Sequence, residues 1–283
     1  MGIGIDIYED SFVKNTISSY NLSALVGADR FSFLAYDQNQ QKVQFLKSYN
    51  FQLKESEEIK SIVHEVYTQD NLLKSRFNQS FIAITNEKNT LVPERLYDES
   101  SHATYFEKLI QLDQGDFLMV NDIPELHIKN IFAMDLGLKN LLDGYFPGAK
   151  ILHNATLFIK GARELSKHRG GYQLYLNING DSFQVVLFED QDLLFSNSYS
   201  YKAANDFIYF TMLVFDQFNL KPEAVPLYLS GQITEDSEIY KLIYRYIRHI
   251  HFVQLPHFLN FGPRLKNVPS HYYFNLYCAK LCV

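Results

Sequence analysis

Residues 173–199 read QLYLNINGDSFQVVLFEDQDLLFSNSY. Gln173 to Ile178 is of strand type. Asn179-Gly180 follows, the strongest short-range hairpin signal, because both central positions of a type I′ turn need positive φ. Phe183 to Phe188 returns, Glu189-Asp190-Gln191-Asp192 turns again, and Leu193 to Tyr199 makes a third strand. A three-strand meander is therefore expected. Beyond it the pattern changes to a helix at about 202–218, ended by Asn219 and Pro222, and then a strand from Val225 to Leu229 closing in Ser230-Gly231. Thr234 is placed to cap a further helix, with Glu235 and Asp236 in its first turn. A strand at 250–255 and a helix at about 270–281, opened by Pro269, complete this half.

Moving toward the N-terminus, the same order recurs. After a polar lead-in, Ala24 to Val26, Phe31 to Tyr36 and Val43 to Tyr49 form a meander. Ser56 is expected to cap a helix with Glu57 and Glu58 in its first turn and Ile59, Ile62, Val63 and Val66 on one face. Phe81 to Thr85 is the fourth strand. Residues 86–133 read as an insertion carrying a helix around 97–112 and strands at 117–120 and 126–132. A helix at 136–146, a strand at 150–152 and a helix at 155–166 finish the first half. Lys167-His168-Arg169-Gly170-Gly171 is the junction, so the expected lobes are 1–170 and 171–283. Superposing the first strands so that Leu25 meets Asn177 offsets the halves by 152 residues (177 less 25).

Composition narrows the classes. The 283 residues are 47% hydrophobic and 20% charged, which excludes disordered and coiled-coil chains. A net charge of −6 disfavours nucleic acid as the main partner. No apolar run reaches the length of a membrane span, and no basic leader opens the chain, so a cytoplasmic protein without an integral membrane segment is expected. Two cysteines, Cys278 and Cys282, are too few for a disulfide scaffold or a zinc ribbon. His249 and His251 share a strand face and His257 follows, but no acidic or thiol ligand stands nearby in sequence, and a structural role is expected. Dinucleotide, Walker-type, zincin and hydrolase motifs are absent from the sequence.

A three-strand meander followed by helix, strand, helix, strand and helix, occurring twice, resembles the superfamily of actin, sugar kinases and Hsp70-type chaperones. The whole chain most resembles an uncharacterised bacterial family of actin-like ATPase fold. The resemblance implies an α/β architecture of two duplicated actin-like, ribonuclease H-like lobes, with an insertion in the first. In that superfamily ATP lies between the lobes. Two turns of the type Asp-x-Gly-[Thr/Ser] approach its phosphates and position Mg²⁺ through their carboxylates, and a Gly-rich strand end carries the adenosine.

Carried onto this chain, the first turn is Leu25-Val26-Gly27-Ala28-Asp29-Arg30. Gly27 is retained, but Leu25 stands at the family's Asp and offers no metal ligand. The second turn is Leu176-Asn177-Ile178-Asn179-Gly180-Asp181, with Asn177 at the Asp and Asn179 at the Gly. Ser230-Gly231-Gln232 keeps two of three residues of the adenosine turn. The resemblance thus implies a vestigial nucleotide site at Gly27, Asp29, Arg30, Asn177, Asn179, Gly180, Asp181, Ser230 and Gly231, with no catalytic residue and no resident metal. The expected function is a scaffold or interaction protein without cofactor, binding a protein partner that the sequence does not identify. The alternative is a weak ATP-binding or phosphotransfer enzyme using ATP and Mg²⁺ with carboxylates relocated to Asp29 or Asp181.

Overall fold

The computed structural model describes residues 2–27, 29–51 and 58–283. The chain forms two units, one of Met1–Leu157, His257–Asn267 and Ala279–Val283, the other of Phe158–Pro256 and Val268–Cys278. The first begins with β1 (Gly2–Tyr8), β2 (Tyr20–Val26), β3 (Arg30–Asp37), β4 (Lys42–Asn50), α1 (Glu58–Gln69) and β5 (Gln79–Ile84). The insertion supplies β6 (Asn89–Pro93), α2 (His102–Glu107), β7 (Asp116–Ile123) and β8 (Ile128–Asp135). Then come α3 (Leu136–Tyr145), β9 (Lys150–His153) and α4 (Asn154–Ser166).

The main sheet of this unit has the order β1-β4-β3-β2-β5-β9. β2 to β4 are an antiparallel meander, and β5 and β9 run parallel to β2. Strand alternation puts Leu22, Ala24, Val26, Phe31, Phe33 and Phe45 on one face, in one core with Ile62, Val63 and Val66 of α1 and Leu138 and Leu142 of α3. Each such side chain is worth about 1.5–3 kcal/mol on burial. On the same unit Lys47 pairs with buried Asp70, which also accepts from the Tyr49 hydroxyl at 2.6 Å and from the Leu72 N–H at 2.9 Å. The expected cap Ser56 and first-turn Glu57 lie outside the described residues.

β6, β8 and β7 form a separate antiparallel sheet over a small core of Val92, Phe106, Ile131 and Ala133. A buried polar network joins this sheet to β9 and the start of α4. Asn121 Oδ1 accepts from the His153 N–H at 2.8 Å and the Thr156 hydroxyl at 3.1 Å, while its Nδ2 donates to the Ile151 carbonyl at 3.2 Å. Asn130 donates to Thr156 Oγ1 at 2.9 Å and accepts from Asn89 at 3.2 Å. The long helix expected at 97–112 reduces to α2, because the Asp98 carboxylate accepts from Ser100 and Ser101 in a local turn that competes with helix. β1 replaces the expected polar lead-in and covers the outer edge of β4. The returning segment 257–267 also joins this unit. The Glu9 carboxylate, 4% exposed, accepts from the Leu265 N–H at 2.8 Å, and Asn260 exchanges main-chain bonds with Gln41 and Val43.

The second unit contains β10 (Tyr172–Asn179), β11 (Ser182–Glu189), β12 (Asp192–Ser200), α5 (Ala204–Gln217), β13 (Leu227–Gly231), α6 (Glu238–Tyr246), β14 (Ile250–Phe252) and α7 (Phe274–Cys278). Its sheet order is β12-β11-β10-β13-β14. Counted from the first meander strand, both sheets are ordered 3-2-1-4-5, with β1 added beyond the third strand of the first unit. Their registers correspond as well. Gly27 donates to the Arg30 carbonyl where Asn179 pairs with Ser182, and Leu25 neighbours Ala83 where Asn177 neighbours Ser230. These equivalences reproduce the 152-residue offset.

Three local expectations change. Pairing of Asn179 with Ser182 makes Gly180-Asp181 the hairpin loop, and positive φ falls on Gly180 (+60°) without Asn179, the pattern of a type II′ turn. The helix expected from Thr234 starts one turn later, capped by Ser237, whose hydroxyl accepts from the Tyr240 N–H at 3.2 Å. The final helix is confined to α7 and a following 3-10 turn at 279–282.

Candidate functional site

In the first unit the β2–β3 turn holds the expected positions Gly27, Asp29 and Arg30; Ala28 lies outside the described residues. Leu25 is half-buried between Ser32 of β3 and Ala83 of β5. The position where the resemblance expects a carboxylate thus carries an apolar side chain. A Cβ on Gly27 would meet only ordinary contacts, the nearest at 3.6 Å, so packing does not demand a glycine there. Asp29 holds the Phe51 N–H through its carbonyl at 2.7 Å, and Arg30 Nε donates to Asn50 Oδ1 at 3.2 Å.

In the second unit Asn177 is 2% exposed and engaged. Its Oδ1 accepts from the Ser230 hydroxyl at 3.1 Å, and its Nδ2 donates to Gln184 Oε1 at 3.4 Å; Asn275 of α7 donates to the same Gln184 oxygen at 3.5 Å. Four side chains from four elements thus form one buried amide and hydroxyl cluster, and Gln184 and Asn275 are members that motif reading did not reach. Their separation along the chain, 91 residues between Gln184 and Asn275, left no local signal.

The main chain of the remaining expected positions is hydrogen-bonded within the second unit. The Gly231 N–H donates to the His271 carbonyl and the Gln232 N–H to the Ile178 carbonyl. Gly231 has φ +85°, and a Cβ there would overlap the Ile178 backbone, so this glycine is required by the close approach of β13 to β10. At the hairpin tip, the Asn179 carbonyl accepts from the Ser182 hydroxyl at 3.2 Å, and the Gly180 carbonyl accepts from the Tyr201 hydroxyl at 2.5 Å. Asp181 is exposed and accepts at its carbonyl from the Tyr201 N–H.

Neither turn, taken by itself, offers a carboxylate at the position where the resemblance expects a ligand for Mg²⁺. A hard cation takes carboxylate and phosphate oxygens, and here one position is a leucine and the other an amide whose oxygen already accepts a hydroxyl proton. Among the described residues no group of three or more His, Cys, Asp and Glu side chains is arranged to hold a metal. His251 lies on β14 with its ring stacked on Tyr228, 5.4 Å between centroids.

The first unit also carries a cavity of about 420 Å³ at the carboxyl ends of β2 and β5. Its apolar lining includes Val26, Ile59, Ile84, Met134 and Leu138, and its polar lining comes mostly from the insertion. Lys88 is held by Asp113 and Asp116, each at 2.5 Å, and Lys60 pairs with Asp135 at 3.1 Å. Burial alone would lower the Lys88 ammonium, but the two carboxylates outweigh it and raise it. Burial likewise opposes ionisation of Asp135; the Leu138 N–H, which it caps at 2.7 Å, and Lys60 prevail and hold its carboxyl below the usual range. Sequence reading did not single out these residues; Asp135 directly before an apolar helix was the available cap signal. Behind the cavity wall, Asn86 accepts from the Lys88 N–H at 2.9 Å and from His153 Nε2 at 3.2 Å. His153 is fully buried, and burial pushes it down to about 3.

The twofold occurrence of a 3-2-1-4-5 sheet, with an insertion after the fourth strand of the first, defines an actin-like ATPase fold. The structure is similar to a protein of actin-like ATPase fold and unknown function from Bacteroides thetaiotaomicron, with TM-score 0.81 and 19% identity over 95% of this chain and 98% of that one. It is also similar to a chain of the PilM-PilN type IV pilus biogenesis complex, with TM-score 0.62 and 15% identity over 93% of this chain and 98% of that one. The chain belongs to the family described as protein of unknown function DUF3822, whose model matches residues 9–250. No curated protein matches. Among the described residues no helix is long and apolar enough to cross a membrane.

Proposed function

We propose that this protein is a non-catalytic scaffold of actin-like fold that binds a protein partner, its nucleotide positions being vestigial. The observation that carries the reading is Asn177, whose amide is buried and hydrogen-bonded inside the second unit where the superfamily keeps a metal-organising carboxylate. Leu25 adds an apolar side chain at the equivalent position. The reading takes 1–170 and 171–283 as the functional lobes and the insertion-lined cavity as the partner's docking surface. An apolar floor rimmed by lysine and aspartate suits a protein ligand. The similarity to a chain of the PilM-PilN complex, a protein assembly, is consistent with that use of the fold.

A second reading rests on one observation: register gives the two hairpin turns an aspartate at the same place, Asp29 and Asp181. It makes the protein a weak nucleotide binder with relocated carboxylates. A thermal-shift panel of Mg·ATP, other nucleotides and sugar phosphates separates the two. The scaffold reading expects no shift with any of them. A native-only ligand at a hundredfold excess over Kd would add about 2.7 kcal/mol, and such a shift, abolished by Asp29→Ala or Asp181→Ala, would replace the scaffold reading with the second. Partner capture from the native host, compared between wild type and Ile59→Arg in the apolar lining of the cavity, tests the docking surface.

A further inference from the structure

The two units differ at one edge. In the first, the outer side of the third meander strand, β4, is covered by β1. In the second, the equivalent strand β12 ends the sheet. β12 is nine residues long, and from Leu193 to Tyr201 the chain carries neither charge nor proline. Open strand edges are normally protected by lysine, proline, short length or a bulge, and of these β12 has only an irregularity near Leu194, at its start. An uncharged edge of this length is a template for pairing.

Its sequence indicates with what. Phe195-Ser196-Asn197-Ser198-Tyr199 reads almost the same in both directions about Asn197. If two copies of β12 pair antiparallel with Asn197 opposite its own copy, Ser196 faces Ser198, and Phe195 faces Tyr199, twice each. Aromatic pairs and serine pairs are favourable cross-strand neighbours, and no charge opposes a like charge. The flank continues the match. Tyr199 stacks on Phe210 of α5 at 4.6 Å, Phe210 meets Tyr209 edge-on at 5.4 Å, and Tyr209 is 62% exposed. An aromatic row thus runs from the strand edge to the surface of α5.

We infer that β12 is a self-association edge, joining two copies of this chain through a twofold axis at Asn197 into a continuous ten-stranded sheet. The contact is self-complementary, as a twofold interface must be. One strand pair with an aromatic flank falls in the small class of interface, below about 1,200 Å², so the dimer is expected to be weak, with micromolar Kd.

Asn197 is exposed, so substituting it leaves the unit's core untouched. Sedimentation velocity on the full chain over a micromolar concentration series is expected to show a monomer–dimer equilibrium. Asn197→Lys and Asn197→Asp each place like charges opposite one another and should weaken it about fivefold or more. Mixing the two variants sets lysine against aspartate and should restore dimer, an outcome that misfolding cannot imitate. Asn197→Cys should form a covalent dimer under mild oxidation faster than Asn205→Cys on the exposed face of α5. A wild-type monomer throughout the series, or a dimer indifferent to both charge variants, overturns the inference. A monomer that instead binds an extended segment of another protein along β12 also overturns it and reassigns the edge.

Discussion

Between about pH 7 and pH 5 the first unit is expected to lose about 2 kcal/mol of stability through His153 alone. The ring is fully buried, with both nitrogens in use: Nε2–H donates to Asn86 Oδ1 and Nδ1 accepts from the Ala155 N–H. The Asn86 amide cannot turn to accommodate a change, because its Oδ1 also takes the Lys88 N–H and its Nδ2 donates to the Ala133 carbonyl. A second ring proton would therefore point at the Ala155 N–H. Burial depresses the folded value to about 3 from an ordinary 6.5. Below 6.5 the unfolded chain takes up a proton that the folded chain refuses, so stability is complete above that value and falls by about 1.4 kcal/mol per pH unit until the folded value is reached. Urea unfolding of wild type and His153→Gln at both pH values isolates the imidazole, since the other groups titrate in both proteins. Hydrogen exchange at β9 gives the local readout. Equal pH slopes for the two proteins would refute the neutral, doubly bonded histidine.

Other outcomes follow from the same geometry. Asn177→Asp is expected to destabilise the second unit by about 1–3 kcal/mol, because the new carboxylate faces the accepting oxygen of Gln184, and to bring no Mg·ATP hydrolysis. A gain of turnover would favour the nucleotide reading. Lys47→Met strands the buried Asp70 carboxylate and should cost about 3–5 kcal/mol in chemical denaturation, while Lys47→Met with Asp70→Leu should cost clearly less than the sum of the two single changes. Gly231→Ala should fail to fold stably, since its Cβ overlaps Ile178, whereas Gly27→Ala should stay within about 1 kcal/mol of wild type. Equal losses at the two glycines would contradict the packing difference between the turns.

The two meanders were legible in the sequence because alternation and turn residues are local properties, and all six of their strands were located. What was missed had long-range or competing causes. β1 holds two glycines in seven residues and is a strand because β4 offers it an edge. Thr234 and Ser237 are both good caps three residues apart, and it is the Ser237 hydroxyl that accepts from the helix. Asn179-Gly180 has the composition of one turn type, but the register of β10 against β11 moved the loop along by one residue. At the candidate site, that positions 25 and 177 hold a leucine and an amide could be read from residue identity. That Asn177 is engaged by Ser230 and Gln184, with Asn275 on the same Gln184 oxygen, could not, because these groups meet only after three strands and a helix have assembled.

The clasp at Glu9 has a consequence for biosynthesis. The first unit begins ahead of the second, yet it includes 257–267 and 279–283, and the buried Glu9 carboxylate receives the Leu265 N–H only when that segment has emerged. Domains generally fold in order of synthesis, but here the unit begun first is finished last. While the ribosome makes the residues between, Glu9 and the main chain at Gln41 and Val43 wait for the segment that completes their hydrogen bonds.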